Sequence, residues 1–426
     1  MAEIYPFKGY RYNSEKVDVN DVVSQPYDKI DEELQEDYYN RSPYNIVRII
    51  LGKTENRYSR AAEDFANWKK KGVLCRDEQP SFYAYWQEYE VEGKKHVRKG
   101  FVGLGKLEAG EKVKAHENTM EGPKADRLRL LRATEANFGH IFMLYSDPER
   151  KVIKLLEKKI ETEEPLCEVN DEDGNVHKLW KIDDKEARGL IQEQMKGKNL
   201  YIADGHHRYQ TALNFKKECE KKGWSPGANG GFDKRLMTFI NIDDPGLKIL
   251  ATHRLVYGVG GFRPDEFLEE IKKDFTVEKF KVKEEMYNKL DAAEGKKNVF
   301  GFKIKGREEY YTLTREEKTK NLVPDYSRKW QNLDVTILHK LILEKYLGID
   351  EEALEQKKNL DYVRYRDRAL DQLEEGDYQA GFILNPTGIE EVIELADRGE
   401  KMPQKSTDFY PKLLTGLVSH ELDIGK

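Results

Sequence analysis

The chain has 426 residues, of which 38% are hydrophobic and 36% charged; at roughly 100–200 residues per domain, that length predicts two or three domains with ordinary globular cores. Its 73 Lys+Arg stand against 79 Asp+Glu, net −6, which excludes a global basic field for nonspecific nucleic-acid binding. The 3 cysteines, Cys75, Cys167 and Cys219, form no CxxC pair, and neither a signal-peptide core nor an apolar run of about 18 residues is present, so a reduced, cytoplasmic protein without a membrane span is expected.

In chain order, residues 31–39 read as a short helix and residues 44–51 (YNIVRIIL) as a strand. Residues 58–71 read as a helix, with Ala61, Phe65 and Trp68 on one face. The aromatic run 81–91 and the segment 96–107 read as a hairpin turning at Gly93. A basic helix follows over 125–136, then a strand over 140–145 and a helix over 152–159. Residues 167–182 read as a second hairpin with its turn at Asp173-Gly174. A short buried strand, 200–203, leads into a helix over 206–222, and 236–242 is a further strand. Beyond residue 260 the expected elements are helix 264–275, strands 299–304 and 310–313, an apolar helix 335–346, helix 369–373, strand 380–384 and helix 389–398. The fold class expected is α+β, mixed sheets with packed helices. Three regions are expected: an N-terminal α/β segment 1–110, a core 111–260 and a C-terminal α/β region 261–426.

The strongest site signal is LYIADGHHRYQTA, residues 200–212. A buried strand ends, Asp204-Gly205 turns the chain, and a helix opens with His206, His207 and Arg208. Helix N-terminal N–H groups and the positive end of the dipole favour an anion. Arg208 adds a planar fork matched to phosphate oxygens. Consecutive histidines sit about 100° apart on a helix, so one can face a ligand while the other packs. The bland alternative is that Asp204 caps the helix and the histidines fill polar niches.

A second signal is AHENTMEGPKADRLRLLRATEAN, residues 115–137. His116-Glu117 precedes a loop, and Arg127, Arg129 and Arg132 follow on the basic helix, a pairing that suits a general base beside a phosphate clamp. A solvated basic face is the competing reading. A third is KMPQKSTDFYPKLLTG, where Lys405, Ser406, Thr407 and Lys412 offer phosphate donors, with a surface loop as the alternative. Weaker signals are Thr252-His253-Arg254 after a strand and the turn Gln25-Pro26-Tyr27-Asp28. The chain carries no GxxxxGK[ST] loop, GxSxG elbow, HExxH or protein-kinase motif set.

The strings ADGHHRYQTA, HENTMEGPKADRLRLLRATEAN, MPQKSTDFYPKLLTGLV, ILATHRL and LDVTILHKLIL resemble the domain of unknown function 1015 family through nearly the whole chain. The DGHHR turn is similar to the phosphate-binding turn of the ParB/sulfiredoxin superfamily, whose free-serine kinases use a closely similar element. The resemblance implies a ParB/sulfiredoxin-like catalytic core over 111–260. It also implies a kinase that transfers a phosphoryl group from pyrophosphate, ADP or ATP to free L-serine, giving O-phosphoserine.

Glu117 is then the expected base, with His116, His207 and Asp204 as further catalytic residues. Gly205, His206, Arg208, Arg127, Arg132, Lys405, Ser406 and Thr407 are expected to bind phosphate. Asn118, Thr119, His253 and Arg254 are expected to bind substrate. Mg²⁺ is the expected cofactor, with Asp204 as its carboxylate, and a homodimer is compatible with this picture. The rival readings are a noncatalytic ParB-like nucleotide switch or DNA-associated protein, and a phosphatase. Net charge −6 and the absence of an evident helix-turn-helix weigh against DNA. A sulfiredoxin would need a cysteine in the turn, and DGHHR has none.

Overall fold

A computed structural model describes residues 3–108, 112–117, 121–315, 322–356 and 358–426. The chain forms two compact units, Met1–Lys248 with Pro411–Lys426, and Ile249–Tyr410. No helix among the described residues is long and apolar enough to cross a membrane.

The first unit is built on nine strands: β1 (Ile4–Tyr5), β2 (Phe82–Val91), β3 (Lys94–Lys106), β4 (Val113–Ala115), β5 (Ile141–Tyr145), β6 (Cys167–Asn170), β7 (Val176–Ile182), β8 (Leu200–Asp204) and β9 (Lys234–Asn241). Their order is β4-β8-β5-β9-β3-β2-β7-β6, with β1 also on β3. The β4–β8 and β5–β9 pairs are parallel, and the remaining pairs antiparallel. Its helices include α1 (Glu32–Arg41), α2 (Arg57–Lys70), α3 (Glu121–Thr134), α4 (Lys151–Ile160), α5 (Lys185–Met195) and α6 (His206–Lys221).

The β2–β3 hairpin turns at Glu92 and Gly93, both at positive φ (50° and 74°), the backbone a tight two-residue hairpin requires. Val152, Ile153 and Leu156 of α4, Ala187, Ile191 and Met195 of α5, and Tyr209 and Ala212 of α6 join the sheet in one core. A second core gathers Ile46, Ile49, Phe65, Trp68, Leu130 and Phe138.

The first unit joins what the sequence divides. Strands from 1–110 and from 111–260 share one sheet, and the chain's last segment returns to the same unit. Tyr10 and Ser419 exchange backbone hydrogen bonds, as do Ser24 and Thr415. Residues 411–426 thus belong to the first unit, not to the C-terminal region.

Residues 44–51 are not a strand; Val47–Ile50 is a helical turn. Asn45 decides this. Its side chain accepts from Val47 N–H at 2.9 Å and donates to the carbonyls of Asp21 and Val23. Such local side-chain bonds offer the backbone an alternative to a ladder. Ile46, Val47, Ile49 and Ile50 are all buried, so the apolar run reflects burial on several sides and not alternation.

In the second unit an antiparallel sheet contains β10 (His253–Val256), β11 (Phe275–Phe280), β12 (Val299–Ile304), β13 (Tyr310–Arg315), β14 (Leu360–Val363) and β15 (Ala380–Ile383), ordered β11-β13-β12-β15-β10-β14. The helix expected over 264–275 ends at Ile271, because Phe275 begins β11 and pairs with Arg315. The apolar helix expected over 335–346 is helical throughout, but Leu338–Glu344 winds as a π-helix. Thr252-His253-Arg254 follows a short strand, Lys248–Leu250, as expected, and His253 and Arg254 themselves start β10.

One buried cation secures the returning tail. Arg98 is fully buried; its Nε donates to Gln87 Oε1 at 2.9 Å, and its Nη2 to the Pro411 carbonyl. Gln87 in turn donates to the Lys412 carbonyl at 2.9 Å. Arg98→Leu strands these acceptors, so unfolding in urea should show a loss of about 2–3 kcal/mol. An unchanged midpoint would show that the tail is held elsewhere.

Candidate functional site

The site begins with strand direction. β4 and β8 run parallel, with Val113, Lys114 and Ala115 opposite Leu200, Tyr201 and Ile202. Parallel neighbours deliver their following residues to the same sheet edge. His116 and Glu117 therefore emerge beside Ala203 and Asp204. β5 runs antiparallel to β8, so its first residues, after His140, lie at this edge too. A register shift between Ile202 and Asp204 marks a bulge, a device that re-aims side chains beside sites.

Gly205 then turns the chain into α6 at φ 91°, a left-handed conformation that glycine adopts without steric cost. It is also the N-cap, and with no side chain it cannot occupy the helix's first N–H donors. A Cβ on Gly205 would stand 3.1 Å from Arg208 Nε, and one on Gly139 would stand 3.2 Å from Arg208 Nη1. Two glycines thus make room for one guanidinium.

That guanidinium is committed on both sides. Arg208 Nη2 donates to Asp204 Oδ2 at 2.6 Å, and Nη1 to the His140 carbonyl. Lys412 Nζ lies 3.9 Å from Asp204 Oδ1. Burial pushes the Asp204 carboxyl up, but Lys412, Arg208, His206 and Lys29 together hold it down at about 2. Asp204 is therefore an ionised anchor.

His206 is buried at the helix start, with its ring edge-on to the His116 ring at 4.7 Å between centroids. Its Nδ1 lies 3.6 Å from Glu117 Oε2. Glu117 keeps a third of its side chain exposed. His207 is half-buried; burial lowers its pKa, Lys124 and Arg208 add to this, and Asp28 and Asp204 oppose it. It is a neutral imidazole at pH 7. The turn Tyr27–Lys29 also faces the site, since Asp28 acts on His207 and Lys29 on Asp204.

The structure thus gathers His116, Glu117, Asp204, Gly205, His206, His207 and Arg208 at one edge, with Lys412 and Lys29 added. Other expected residues are engaged by their own neighbours. Arg127 donates to Asp126 at 2.7 Å and lies over the Tyr27 ring. Arg132 forms a two-pronged pair with Glu218 at 2.9 and 2.6 Å. Glu218 is twelve residues along α6 from His206, about 18 Å at 1.5 Å per residue, so Arg132 is a helix-to-helix clamp and not a phosphate ligand of the turn.

Asn118 and Thr119 lie outside the described residues. Lys405, Ser406 and Thr407 belong to the second unit. There Ser406 Oγ donates to the Pro403 carbonyl at 2.6 Å, and the Ser406 carbonyl accepts from Thr387 at 2.7 Å. His253 and Arg254 are interior residues of that unit, in place of the expected substrate ligands. His253 Nδ1 accepts from Leu384 N–H at 3.2 Å, and burial and then Arg254 push it down to about 3. Arg254 donates to the carbonyls of Thr252 and Lys405.

The carboxylate expected to hold a metal is Asp204. Both of its oxygens face cations, and among the described residues no three His, Cys, Asp or Glu side chains converge as a metal site. Among the described residues, the side chains do not by themselves make a divalent-cation site.

These features define an α+β protein with a glycine-capped strand–turn–helix edge suited to an anion, where Glu117 and Asp204 meet His116, His206 and His207. The chain belongs to the family described as protein of unknown function DUF1015, whose model matches residues 4–336. No curated protein sequence matches it. Among solved structures, it is similar to a free serine kinase variant in complex with AMP, at 12% identity and TM-score 0.38 over 75% of this chain and 90% of that one. It is similar to a free serine kinase variant with ADP at 13% identity and TM-score 0.38, over 75% and 90%. It is also similar to a conserved hypothetical protein from Pyrococcus furiosus at 15% identity and TM-score 0.34, over 72% and 89%.

Two outcomes follow from this geometry. Gly205→Ala forces an alanine to φ 91° and crowds Arg208, so thermal or urea unfolding should register a loss of about 1–3 kcal/mol. Asp204 has its pKa lowered from 3.8 to about 2, so its charge stabilises the fold above the ordinary value and that contribution fades as pH falls through about 2. In acid titration followed by circular dichroism, Asp204→Asn should lose less stability than the parent across that window. Equal slopes would mean that Asp204 is not ionised by its cations as described.

Proposed function

We propose that the protein is a small-molecule kinase that transfers a phosphoryl group from pyrophosphate or an adenine nucleotide to the hydroxyl of free L-serine. The observation that carries this reading is the parallel β4–β8 register, which brings Glu117 within 3.6 Å of His206 at the first turn of α6. An anion-binding helix start and an accessible carboxylate then face one volume, the arrangement that phosphoryl transfer needs for positioning and charge stabilisation.

The donor's phosphates bind the N–H groups at the start of α6, with Arg208 and Lys412 supplying positive charge. Glu117 takes the proton of the serine hydroxyl as its oxygen attacks phosphorus. The new P–O bond forms as the bridging P–O bond of the donor breaks, and the departing phosphate or nucleoside phosphate keeps the electron pair. His207, neutral and half-buried, is the alternative base. Mg²⁺, brought by the donor, would supply charge neutralisation; with Asp204 already paired to Arg208 and Lys412, no step is assigned through a metal.

Purified protein incubated with L-serine, Mg²⁺ and, separately, pyrophosphate, ADP or ATP should yield O-phosphoserine with one donor. Glu117→Gln should lower kcat by about 10²–10⁴-fold while donor affinity stays near the parent value. Product from none of the donors would overturn the kinase reading, and donor binding without turnover would favour a nucleotide-binding switch. Full activity in Glu117→Gln, with loss in His207→Asn, would move the base to His207.

A further inference from the structure

A cavity opens behind the turn, within the first unit. Arg127, Arg208 and Arg235 reach it, and Leu130, Leu131 and Phe138 supply part of its apolar wall. It holds about 50 Å³ open to water-sized molecules, against the roughly 10–15 Å³ that one water needs. That is room for a carboxylate and its first carbons.

The three arginines are not equally neutralised. Arg127 has Asp126 and Arg208 has Asp204. Arg235, at 7% exposure, has no carboxylate partner among the described residues. Its Nη2 makes a long 3.4 Å contact with the Gly139 carbonyl, and its buried Nε has no partner. Its titratable neighbours do not compensate: burial pushes His140 and His420 down to about 4, leaving both neutral at pH 7. Burial and then Arg208 lower Arg235 itself to about 9, still a cation. A buried guanidinium with donors to spare and no counter-charge is costly unless an anion completes it.

We propose that this cavity binds the carboxylate of a small organic acid, with Arg235 as its principal ligand. A phosphate dianion would turn several oxygens onto leucine and phenylalanine, whereas a carboxylate presents two oxygens to the fork and carbon to the wall. Arg208 lines both the cavity and the turn, so the bound acid lies one guanidinium away from the donor-phosphate site. That this acid is the phosphoryl acceptor rests on the kinase reading; that it binds does not.

The test uses the full chain, with calorimetry of L-serine, butyrate and pyrophosphate on the parent, Arg235→Met and Arg235→Lys. L-serine or butyrate should bind the parent and lose about tenfold or more in affinity with Arg235→Met. Pyrophosphate affinity should be unchanged, and Arg235→Lys should fall between. Thermal unfolding of Arg235→Met at or above the parent temperature would separate a ligand role from a structural one. On the parent, the Arg235 Nε NMR signal should move on adding the carboxylate, a readout that needs no variant.

Absence of carboxylate binding to the parent, an unmoved Nε signal, or equal carboxylate binding by all three proteins would overturn the proposal. Loss of pyrophosphate affinity alone would overturn it too, and would assign the cavity to the donor. Arg235-dependent carboxylate binding without phosphorylated product from any donor would leave the cavity standing and remove the kinase reading.

Discussion

The Arg208 guanidinium bonds the Asp204 carboxylate on one side and the His140 carbonyl on the other. Three pieces of chain meet in those contacts: the end of β8, the segment before β5 and the first turn of α6. The planar fork of arginine makes this possible, since two donors leave it in fixed directions; lysine would offer one point charge. The arrangement also needs Gly205 and Gly139, because a Cβ at either position would press on the guanidinium. The acidic and basic ends of the DGHHR motif are therefore one ion pair across a single turn, with the glycine between them as its steric condition.

The tail supplies the second cation on Asp204. Lys412 is far from the turn in sequence, and the whole of the second unit lies between them in chain order. Its backbone is held by Gln87, which is itself bonded by the buried Arg98. The site's electrostatics thus depend on the cross-strand pair Gln87 and Arg98 of β2 and β3. The 249–410 unit behaves in chain order as an insertion between the sheet and the strap that completes it.

Much of the fold was legible in the sequence because its signals are local. The hairpins turn at Gly93 and Gly174, both at positive φ, and the strand–turn–helix of 200–221 follows from a buried run, Asp-Gly and an amphipathic stretch. The run 44–51 was misread because its apolar residues are buried all round and Asn45 bonds its own neighbourhood. Helices Lys185–Met195 and Lys283–Ala293 and strand Phe275–Phe280 were missed. Within the site, the DGHHR residues and His116-Glu117 were found as motifs, yet their adjacency is a consequence of parallel pairing that no short string encodes. In the sequence Lys412 stands only as one of several loop donors. Arg235 carried no signal, because an arginine at the start of a strand is ordinary until burial removes its partners.

The charge balance at the turn constrains how an anion binds there. Asp204 already draws on Lys412, Arg208, His206 and Lys29, so those cations are not fully available to a ligand. The remaining attraction must come from backbone N–H groups at the start of α6 and from neutral donors such as His207, whose proton is kept off by burial. Dipolar groups of this kind are fixed in place and need no counter-ion when the ligand leaves. An anion can leave a site of this composition without exposing bare positive charge. Arg235 is built on the opposite principle, a cation whose compensation has to arrive with the ligand. The two differ by a single carboxylate: Asp204 is present for Arg208, and none of the described residues does the same for Arg235.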